Sequence, residues 1–266
     1  MKTKILLLVM MMGVALSMNS CKKDGDSNNN NNNNGGGTAK VSMRLTDAPG
    51  DYDHVYVDIQ QVVLTVEGSA AVTVAPIRPG IYDLLDFANG VDTLLMEATV
   101  PAGKVSQIRL VLGNNNSVVV NGASYDLGTP SAQESGLKLN LKETLVAGGA
   151  YTFWIDFDAG KSIVQTGNGA YKLKPVIRAY SAQTNGRLKG YIMPLNAMAT
   201  VYAIQGTDTL SAIPDANGFF MFSGMVDGTY TVYVEPGILG LQAYTQTNVQ
   251  VTYGAETNIG TITLIP

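Results

Sequence analysis

Apolar and polar residues alternate along almost the whole chain after residue 38, which is the pattern of half-buried β-strands. No segment of helical length in this region carries an apolar stripe with the period of a helix. Residues 83–96 are interpreted as holding a short helical turn, because their leucines do not alternate cleanly. Strands are predicted at 41–45, 55–66, 72–77, 104–112, 117–120, 123–127, 137–141, 151–157 and 171–180.

The segment SAQTNGR, residues 181–187, is interpreted as a linker with a domain boundary near Gly186. Shorter strands follow it at a spacing of about eight to twelve residues, which is typical of small sandwiches. They are predicted at 188–192, 200–205, 209–213, 219–222, 229–235, 246–251 and 256–265. The fold class is therefore all-β, with two tandem β-sandwich-like domains at 39–182 and 187–266.

The N-terminus has the three regions of a secretion signal in order. Lys2 and Lys4 precede an apolar run at 5–16, and small or polar residues then lead to Cys21. The apolar run is shorter than the roughly 20 residues that a transmembrane helix needs. Residues 1–20 are therefore predicted to be a cleaved signal peptide.

Cys21 is the only cysteine, and it stands where a lipoprotein signal peptidase would cut. The segment resembles a lipobox: Ser20 fits the pattern, whereas Met18 stands where leucine is usual. The resemblance implies lipidation of Cys21 and an outer-membrane lipoprotein that faces the periplasm or the cell surface. The alternative is an ordinary secretory signal followed by a free thiol, which is a liability in an exported protein.

Residues 21–38 are predicted to be a disordered linker. They contain an unbroken run of asparagines at 28–34 and then three glycines. Two acidic residues soon after Cys21 resemble the export signals of Bacteroidetes-type surface lipoproteins, although two lysines depart from that pattern. The composition predicts a tether that holds the folded part away from the lipid.

The charge balance argues against a nucleic-acid partner. Charged residues make up 14% of the chain, the net charge is −4, and Lys and Arg do not cluster in the folded part. His54 is the only histidine, which excludes zinc sites built on two or three histidines. His54 is interpreted as a solvated residue at a strand end, so the chain is not expected to be an enzyme.

Asp47, Asp51 and Asp53 lie in a segment that Pro49 and Gly50 incline to turn. Carboxylate oxygens alone can hold Ca²⁺, so these residues are a candidate calcium site. The spacing does not match a calcium-loop signature, and aspartates that stabilise a turn explain the same pattern. No other cofactor is expected.

The predicted strand at 151–158 separates into two faces because side chains alternate along a strand. One face should be core, and it carries Tyr151, Phe153, Ile155 and Phe157. The other places Trp154, the only tryptophan, beside Asp156 and Asp158. A flat ring with hydrogen-bond acceptors predicts a shallow glycan site, whereas packing of Trp154 under a loop or against the second domain is the alternative.

The second domain resembles carboxypeptidase regulatory-like, transthyretin-like sandwiches. The resemblance rests on Asp215-Ala-Asn-Gly218-Phe-Phe220 and Asp227-Gly228-Thr-Tyr230, with Asp227 in place of the usual proline. It implies a support module or a module with a carbohydrate-binding-like fold, without a catalytic centre.

The first domain resembles a family of bacterial lipoprotein domains of unknown function, family number 4382. Four blocks occur in the expected order: LTDAPGDYDHVYVDI from Leu45, PAGKVSQIRLVL from Pro101, SGLKLNL from Ser135 and IDFDAGKSIVQTGNGAYKLKPVIR from Ile155. The resemblance implies an exported β-sandwich-like domain and supplies no function.

These observations favour a cell-envelope lipoprotein that acts as a non-catalytic binding or scaffolding module. Its expected partners are the membrane and either a glycan or an envelope protein. One alternative is a carbohydrate-binding surface lipoprotein that uses the Trp154 face. Another is a structural or adhesive subunit that pairs an exposed edge strand with a partner's strand, for which Ser117–Val120 is the candidate edge.

Overall fold

The computed structural model describes residues 37–48, 50–129, 135–167 and 169–266. The predicted signal peptide, Cys21 and all but the end of the predicted tether lie outside the described residues. In the described part of the chain, no helix is long and apolar enough to span a membrane.

Two sheets form the first module, which comprises the strands before residue 182. Its strands are β1 (Thr38–Ala48), β2 (His54–Val66), β3 (Val72–Val74), β4 (Gly80–Asp83), β5 (Thr93–Pro101), β6 (Gly103–Leu112), β7 (Ser117–Val120), β8 (Ala123–Gly128), β9 (Leu137–Leu139), β10 (Thr144–Leu145), β11 (Ala150–Asp158), β12 (Ile163–Gln165), β13 (Tyr171–Leu173) and β14 (Ile177–Ser181). A short helix α1 (Ala159–Ser162) follows β11, and 3-10 turns occur at Leu84–Phe87 and Ala182–Thr184.

The smaller sheet has the order β14-β11-β1-β5, with β1 and β11 parallel. The larger sheet runs β10-β6-β2-β7-β8-β13-β12, with β3 and β4 also on β2 and with β9 on β6. Alternate apolar side chains from both sheets form one core, whose largest fully buried members include Phe153, Phe157, Met43, Leu45, Ile59 and Leu64. Burial of this apolar surface is the main stabilising contribution to the module.

The second module comprises the strands from Gly186 onward. They are β15 (Gly186–Met193), β16 (Thr200–Gln205), β17 (Asp208–Ala212), β18 (Phe219–Met225), β19 (Gly228–Glu235), β20 (Tyr244–Val251) and β21 (Glu256–Thr263), with a 3-10 turn at Leu195–Ala197. They form a sheet β18-β15-β21 and a sheet β17-β16-β19-β20. A separate apolar cluster between residues 188 and 264 includes Phe220, Leu188, Val201 and Val232. The predicted all-β fold with tandem sandwich-like domains is confirmed, while the domain boundaries stay a prediction.

The short helical turn predicted within residues 83–96 is confirmed, and strand β5 begins at Thr93 in the same interval. Only Leu84–Phe87 is helical, with the Asp83 side chain accepting from Leu85 N. β5 then pairs antiparallel with β1 and buries Leu95 and Met96 completely. Pairing with a distant strand thus outweighs the irregular local pattern.

The predicted strand at 171–180 is interrupted. Lys174 N donates to the Ser162 carbonyl, and the Ser162 hydroxyl accepts from Val176 N. These bonds to α1 satisfy the backbone between β13 and β14, so the two strands belong to different sheets.

The prediction that Ser117–Val120 is an exposed edge is wrong. This strand, β7, pairs with β2 on one side and with β8 on the other. The backbone groups of β7 are therefore hydrogen-bonded to neighbouring strands on both sides, and β7 offers no free edge to a partner's strand.

The segment interpreted as a linker is ordered. Ser181 ends β14 and begins a 3-10 turn, and Asn185 Oδ1 then accepts from Gly224 N. The predicted turn at Asp215 is also present: its Oδ1 accepts from Asn217 N and Phe219 N. The described residues from 37 onward accordingly belong to one compact unit.

Candidate functional site

The two faces of β11 are those that the alternation predicted. Phe153, Ile155 and Phe157 are fully buried in the first core. The opposite face of this sheet, which carries Trp154 and Asp156, is turned towards the second module. The junction between the modules is therefore built on the predicted glycan face.

Trp154 has partners within its own module. Its ring stacks on Tyr180, with 5.5 Å between centroids and 7° between planes. Its Nε1 donates to Asp92 Oδ2 at 2.7 Å, and Asp92 also pairs with Arg44. The half-buried indole is thus held under the loop before β5, as the alternative interpretation expected; sugar binding at Trp154 stays a prediction.

Asp156 and Arg178 join the two modules. Arg178 Nη2 lies 2.5 Å from Asp156 Oδ2 and donates to the Ser223 carbonyl at 2.7 Å. Arg178 Nη1 donates to the Gly224 carbonyl. Burial raises the pKa of Asp156, while the Arg178 guanidinium acts in the opposite direction. One guanidinium therefore satisfies a buried carboxylate and two carbonyls of β18.

Asn89 makes a second connection across the junction. Its Nδ2 donates to the Ile213 carbonyl at 3.0 Å, and its Oδ1 accepts from Met221 N at 3.3 Å. β18 is an edge strand of its sheet, with β15 on its other side. Asn89 and Arg178 thus give this edge the hydrogen-bond partners that a neighbouring strand would otherwise supply.

Asp158 and Lys161 form the third connection. Asp158 caps α1 by accepting from Lys161 N at 3.0 Å, and it pairs with Lys161 Nζ at 2.8 Å. The same ammonium donates to the Thr209 carbonyl of the second module at 2.8 Å. The carboxylates predicted for a glycan site therefore serve, in part, to hold the junction.

A cleft of about 520 Å³ opens beside these connections, with walls from both modules. Its volume falls within the range of small-molecule sites in proteins. The first module contributes Lys142, Asp156, Asp158, Lys161, Arg178 and Tyr180, and the second contributes Gln205, Asp208, Tyr230 and Tyr253. The cleft thus combines aromatic surface with hydrogen-bond donors and acceptors, and its charged side chains include both cations and anions.

Asp47 is buried at the end of β1, beside the junction. Its Oδ1 accepts from Ala159 N at 3.1 Å, whereas its Oδ2 has no hydrogen-bond partner among the described residues. Burial raises the pKa of Asp47 well above its ordinary value, and the nearby charge of Asp156 raises it further. Both effects oppose ionisation of the Asp47 carboxyl.

The three aspartates of the calcium hypothesis point to different partners. Asp47 is bound to Ala159 N, Asp53 accepts from Gly122 N at 2.7 Å, and Asp51 is exposed. Across the described ranges, no group of three or more His, Cys, Asp or Glu side chains is arranged to hold a metal ion. Calcium binding stays a prediction, which a calcium-dependent thermal shift would test.

His54 lies away from the cleft. The exposed ring stacks on Tyr56 and shares a hydrogen bond with Asp83, with 2.6 Å between His54 Nδ1 and Asp83 Oδ2. Asp83 also caps the 3-10 turn that follows it. The contacts of His54 are thus those of a residue that fixes a strand end.

Sequence reasoning missed Arg178, Tyr180, Asp92 and Asn89. Each lies in an interval whose local pattern is ordinary, and their partners lie between 22 and 132 residues away along the chain. The Asn-Gly pair at 89–90 signals a turn, but no local signal indicates that the Asn89 amide bonds to another module.

Residues 38–175 match the family model described as a domain of unknown function, DUF4382. The chain belongs to this family. The resemblance of the first domain is thereby confirmed, and the family description assigns no activity. No curated protein matches the chain.

Several solved structures are similar to parts of the chain. A type II cohesin–X-dockerin complex from Acetivibrio cellulolyticus is 26% identical over 29% of this chain and 56% of that chain, with a TM-score of 0.24. The Bacillus anthracis TIE protein is 10% identical over 86% of this chain and 35% of that chain, with a TM-score of 0.25. A mutant of the shaft pilin SpaA from Lactobacillus rhamnosus GG is 10% identical over 86% and 97%, with a TM-score of 0.24.

The chain thus spans about half of the cohesin complex chain that it matches. At these TM-scores the similarities say nothing about what this chain binds. The resemblance of the second module to carboxypeptidase regulatory-like sandwiches stays a prediction.

Proposed function

We propose that this protein is a non-catalytic binding protein of the cell envelope, anchored through lipid on Cys21, with its ligand site in the cleft between the two modules. The cleft is the observation that carries the proposal, because it is a concave volume of about 520 Å³ whose walls come from both modules.

Three connections hold the walls of the cleft in place. Arg178, Asn89 and Lys161 of the first module each donate to backbone carbonyls of the second. A site whose walls are fixed before binding loses little conformational entropy when the ligand enters. The junction therefore favours a preorganised binding site.

The carboxylates of β11 are poor candidates for acid–base catalysis. Asp156 is held by Arg178, and Asp158 is held by Lys161 and by the N-terminus of α1. A general base needs an oxygen free to take a proton from a bound substrate. The ion pairs of Asp156 and Asp158 therefore support a binding role for the cleft rather than a catalytic one.

A short saccharide is the ligand class that best fits this lining. Tyr253 offers an exposed ring, and Gln205, Asp208 and Lys142 add an amide, a carboxylate and an ammonium. Sugar rings pair apolar faces with aromatic side chains and hydroxyl groups with mixed donors and acceptors. Charges of both signs in the lining argue against selection of a strongly charged ligand.

Glycan arrays followed by titration calorimetry test the ligand site. Tyr253→Ala should weaken binding of a recognised saccharide roughly tenfold. Tyr191→Ala is the matched control, because Tyr191 and Tyr253 are both 41% exposed and Tyr191 does not line the cleft. A protein that binds no glycan, or a Tyr253→Ala variant that binds as tightly as the wild type, would contradict the proposal.

Lipidation is tested separately. The wild-type chain should carry labelled fatty acid and sediment with membranes when it is expressed in a bacterium that makes lipoproteins. Cys21→Ala should lose the label. Labelling that survives this substitution would reject Cys21 as the anchor without affecting the assignment of the cleft.

A further inference from the structure

Three segments meet at one end of the second module. Residues 194–199 connect β15 to β16, residues 236–243 connect β19 to β20, and residues 264–266 follow β21. Gly237 N donates to the Ala197 carbonyl at 3.0 Å, and Gln242 N donates to the Ile265 carbonyl at 2.8 Å. The exposed aliphatic side chains at this end, here called the apolar tip, are Met193, Leu195, Met198, Leu239 and Ile265.

The aliphatic side chains of the apolar tip are largely exposed to solvent. Leu239 is 103% exposed, Met198 76% and Ile265 62%. Met198 also adopts a left-handed backbone with φ of 47°, which is uncommon for a residue other than glycine. Contiguous apolar groups that a fold leaves in water mark interaction surfaces.

None of the side chains in the three segments is charged. The segments also satisfy part of their own backbone: Ala197 N donates to Pro194 O, and Leu264 N donates to Met193 O. Pro194 and Pro236 have no N–H to satisfy. These features suit an environment poor in water, where unpaired polar groups and charges are costly.

We propose that the apolar tip inserts into the surface of a neutral lipid bilayer. Its exposed side chains come from the three loop segments and from the end of β15. Hydrocarbon requires only uncharged apolar groups, and the lack of a cationic side chain in the segments argues against selection of anionic lipids. A bilayer is therefore the occupant that the chemistry of the tip fits.

The chain between Cys21 and the folded part limits how far an anchored protein can move from the bilayer. The segment from Cys21 to Thr38 spans at most about 60 Å when fully extended. Anchoring at Cys21 thus raises the effective concentration of lipid around the folded part. Insertion would fix the orientation of the cleft relative to the bilayer.

Fluorescence in phosphatidylcholine vesicles that contain nitroxide lipids tests the tip directly. The full chain is compared as Leu239→Trp and as Val226→Trp, because Val226 is 57% exposed and lines the cleft. Trp154 contributes the same background to both. The Leu239→Trp emission should shift to shorter wavelength and be quenched, whereas the Val226→Trp emission should show neither effect.

Adding Met198→Ser and Ile265→Ser to the Leu239→Trp chain should abolish the shift and the quenching. Met198→Trp gives the same reading if Leu239→Trp does not fold. Equal quenching at positions 239 and 226, or no shift in vesicles, would overturn the proposal. So would a dimer in lipid-free sedimentation that Leu239→Ser dissociates, because the tip would then bind a second copy.

Lipid insertion by the apolar tip and saccharide binding in the cleft are tested by separate experiments, and either can be rejected without the other. Tyr253 lies in the cleft, and the apolar tip does not line it. Loss of lipid insertion in the tip variants should therefore leave saccharide titrations unchanged.

Discussion

Asp156 and Arg178 form an ion pair at the junction, and the guanidinium of that pair also binds two carbonyls of the second module. The Asp156 side chain is 6% exposed, and its Oδ2 lies 2.5 Å from Arg178 Nη2. The pair is therefore both an electrostatic contact within the first module and a connection to the edge strand β18.

Removing the guanidinium should destabilise the protein. Arg178→Met leaves Asp156 buried without its cation and should lower the free energy of unfolding by about 3 kcal/mol, measured by urea denaturation. Replacing both partners, as Asp156→Leu with Arg178→Met, should recover much of the loss. An Arg178→Met variant as stable as the wild type would show that the ion pair does not stabilise the junction.

Asp47 should make stability fall as the pH rises. The unfolded carboxyl ionises near 3.8, whereas burial and the neighbouring Asp156, Asp158 and Asp83 raise the pKa of Asp47 in the folded protein. Above pH 3.8 the folded state thus binds the proton that the unfolded chain releases. Stability contributed by protonated Asp47 is complete below this pH and is lost progressively up to the folded pKa.

Asp47→Asn keeps an oxygen for Ala159 N and removes this titration. Its stability relative to the wild type should increase as the pH rises above 3.8 in urea denaturation series. Asp51→Asn, at an exposed position nearby, serves as the control. A stability difference that does not change with pH would contradict a raised pKa at Asp47.

Gly224 should tolerate no side chain. A Cβ at this position would overlap the Tyr180 ring, which stacks on Trp154. Gly224→Ala should therefore destabilise the protein by about 2 kcal/mol and shift the emission of Trp154. Gly254→Ala is the matched control: its φ of 70° is close to the 65° of Gly224, and nothing lies within 4 Å of its added Cβ.

The two alanine variants share the backbone cost of a left-handed conformation. Their difference consequently reports the overlap with Tyr180. Equal loss of stability and unchanged Trp154 emission in both would contradict close packing between Gly224 and Tyr180.

Asn89 should protect the edge of β18. Asn89→Gly removes two hydrogen bonds across the junction. Glycine adopts the φ of 53° at this position without strain. The substitution should therefore lower the free energy of unfolding by about 2 kcal/mol. Hydrogen exchange at the Met221 amide should accelerate. Asn121→Gly, with φ of 51° in the turn between β7 and β8, should leave Met221 exchange unchanged; equal exchange in both variants would argue against the contact.

The sequence alone determined the bounds of several strands and the two faces of β11. The predicted bounds of β16 match the observed Thr200–Gln205, and the core side of β11 was predicted residue by residue. Both follow from the two-residue period of a pleated strand, which is a property of adjacent residues. The turn at Asp215 was equally predictable, because its carboxylate binds backbone amides two and four residues away.

Only the tertiary structure decided what the outer face of β11 meets. Trp154 binds Asp92, which lies 62 residues away, and Arg178 bonds to carbonyls more than 40 residues further along the chain. Such pairs depend on the order of strands in a sheet and on the docking of one sheet against another. Alternation specifies which side chains leave a sheet on the same face, but it carries no information about the surface placed opposite them.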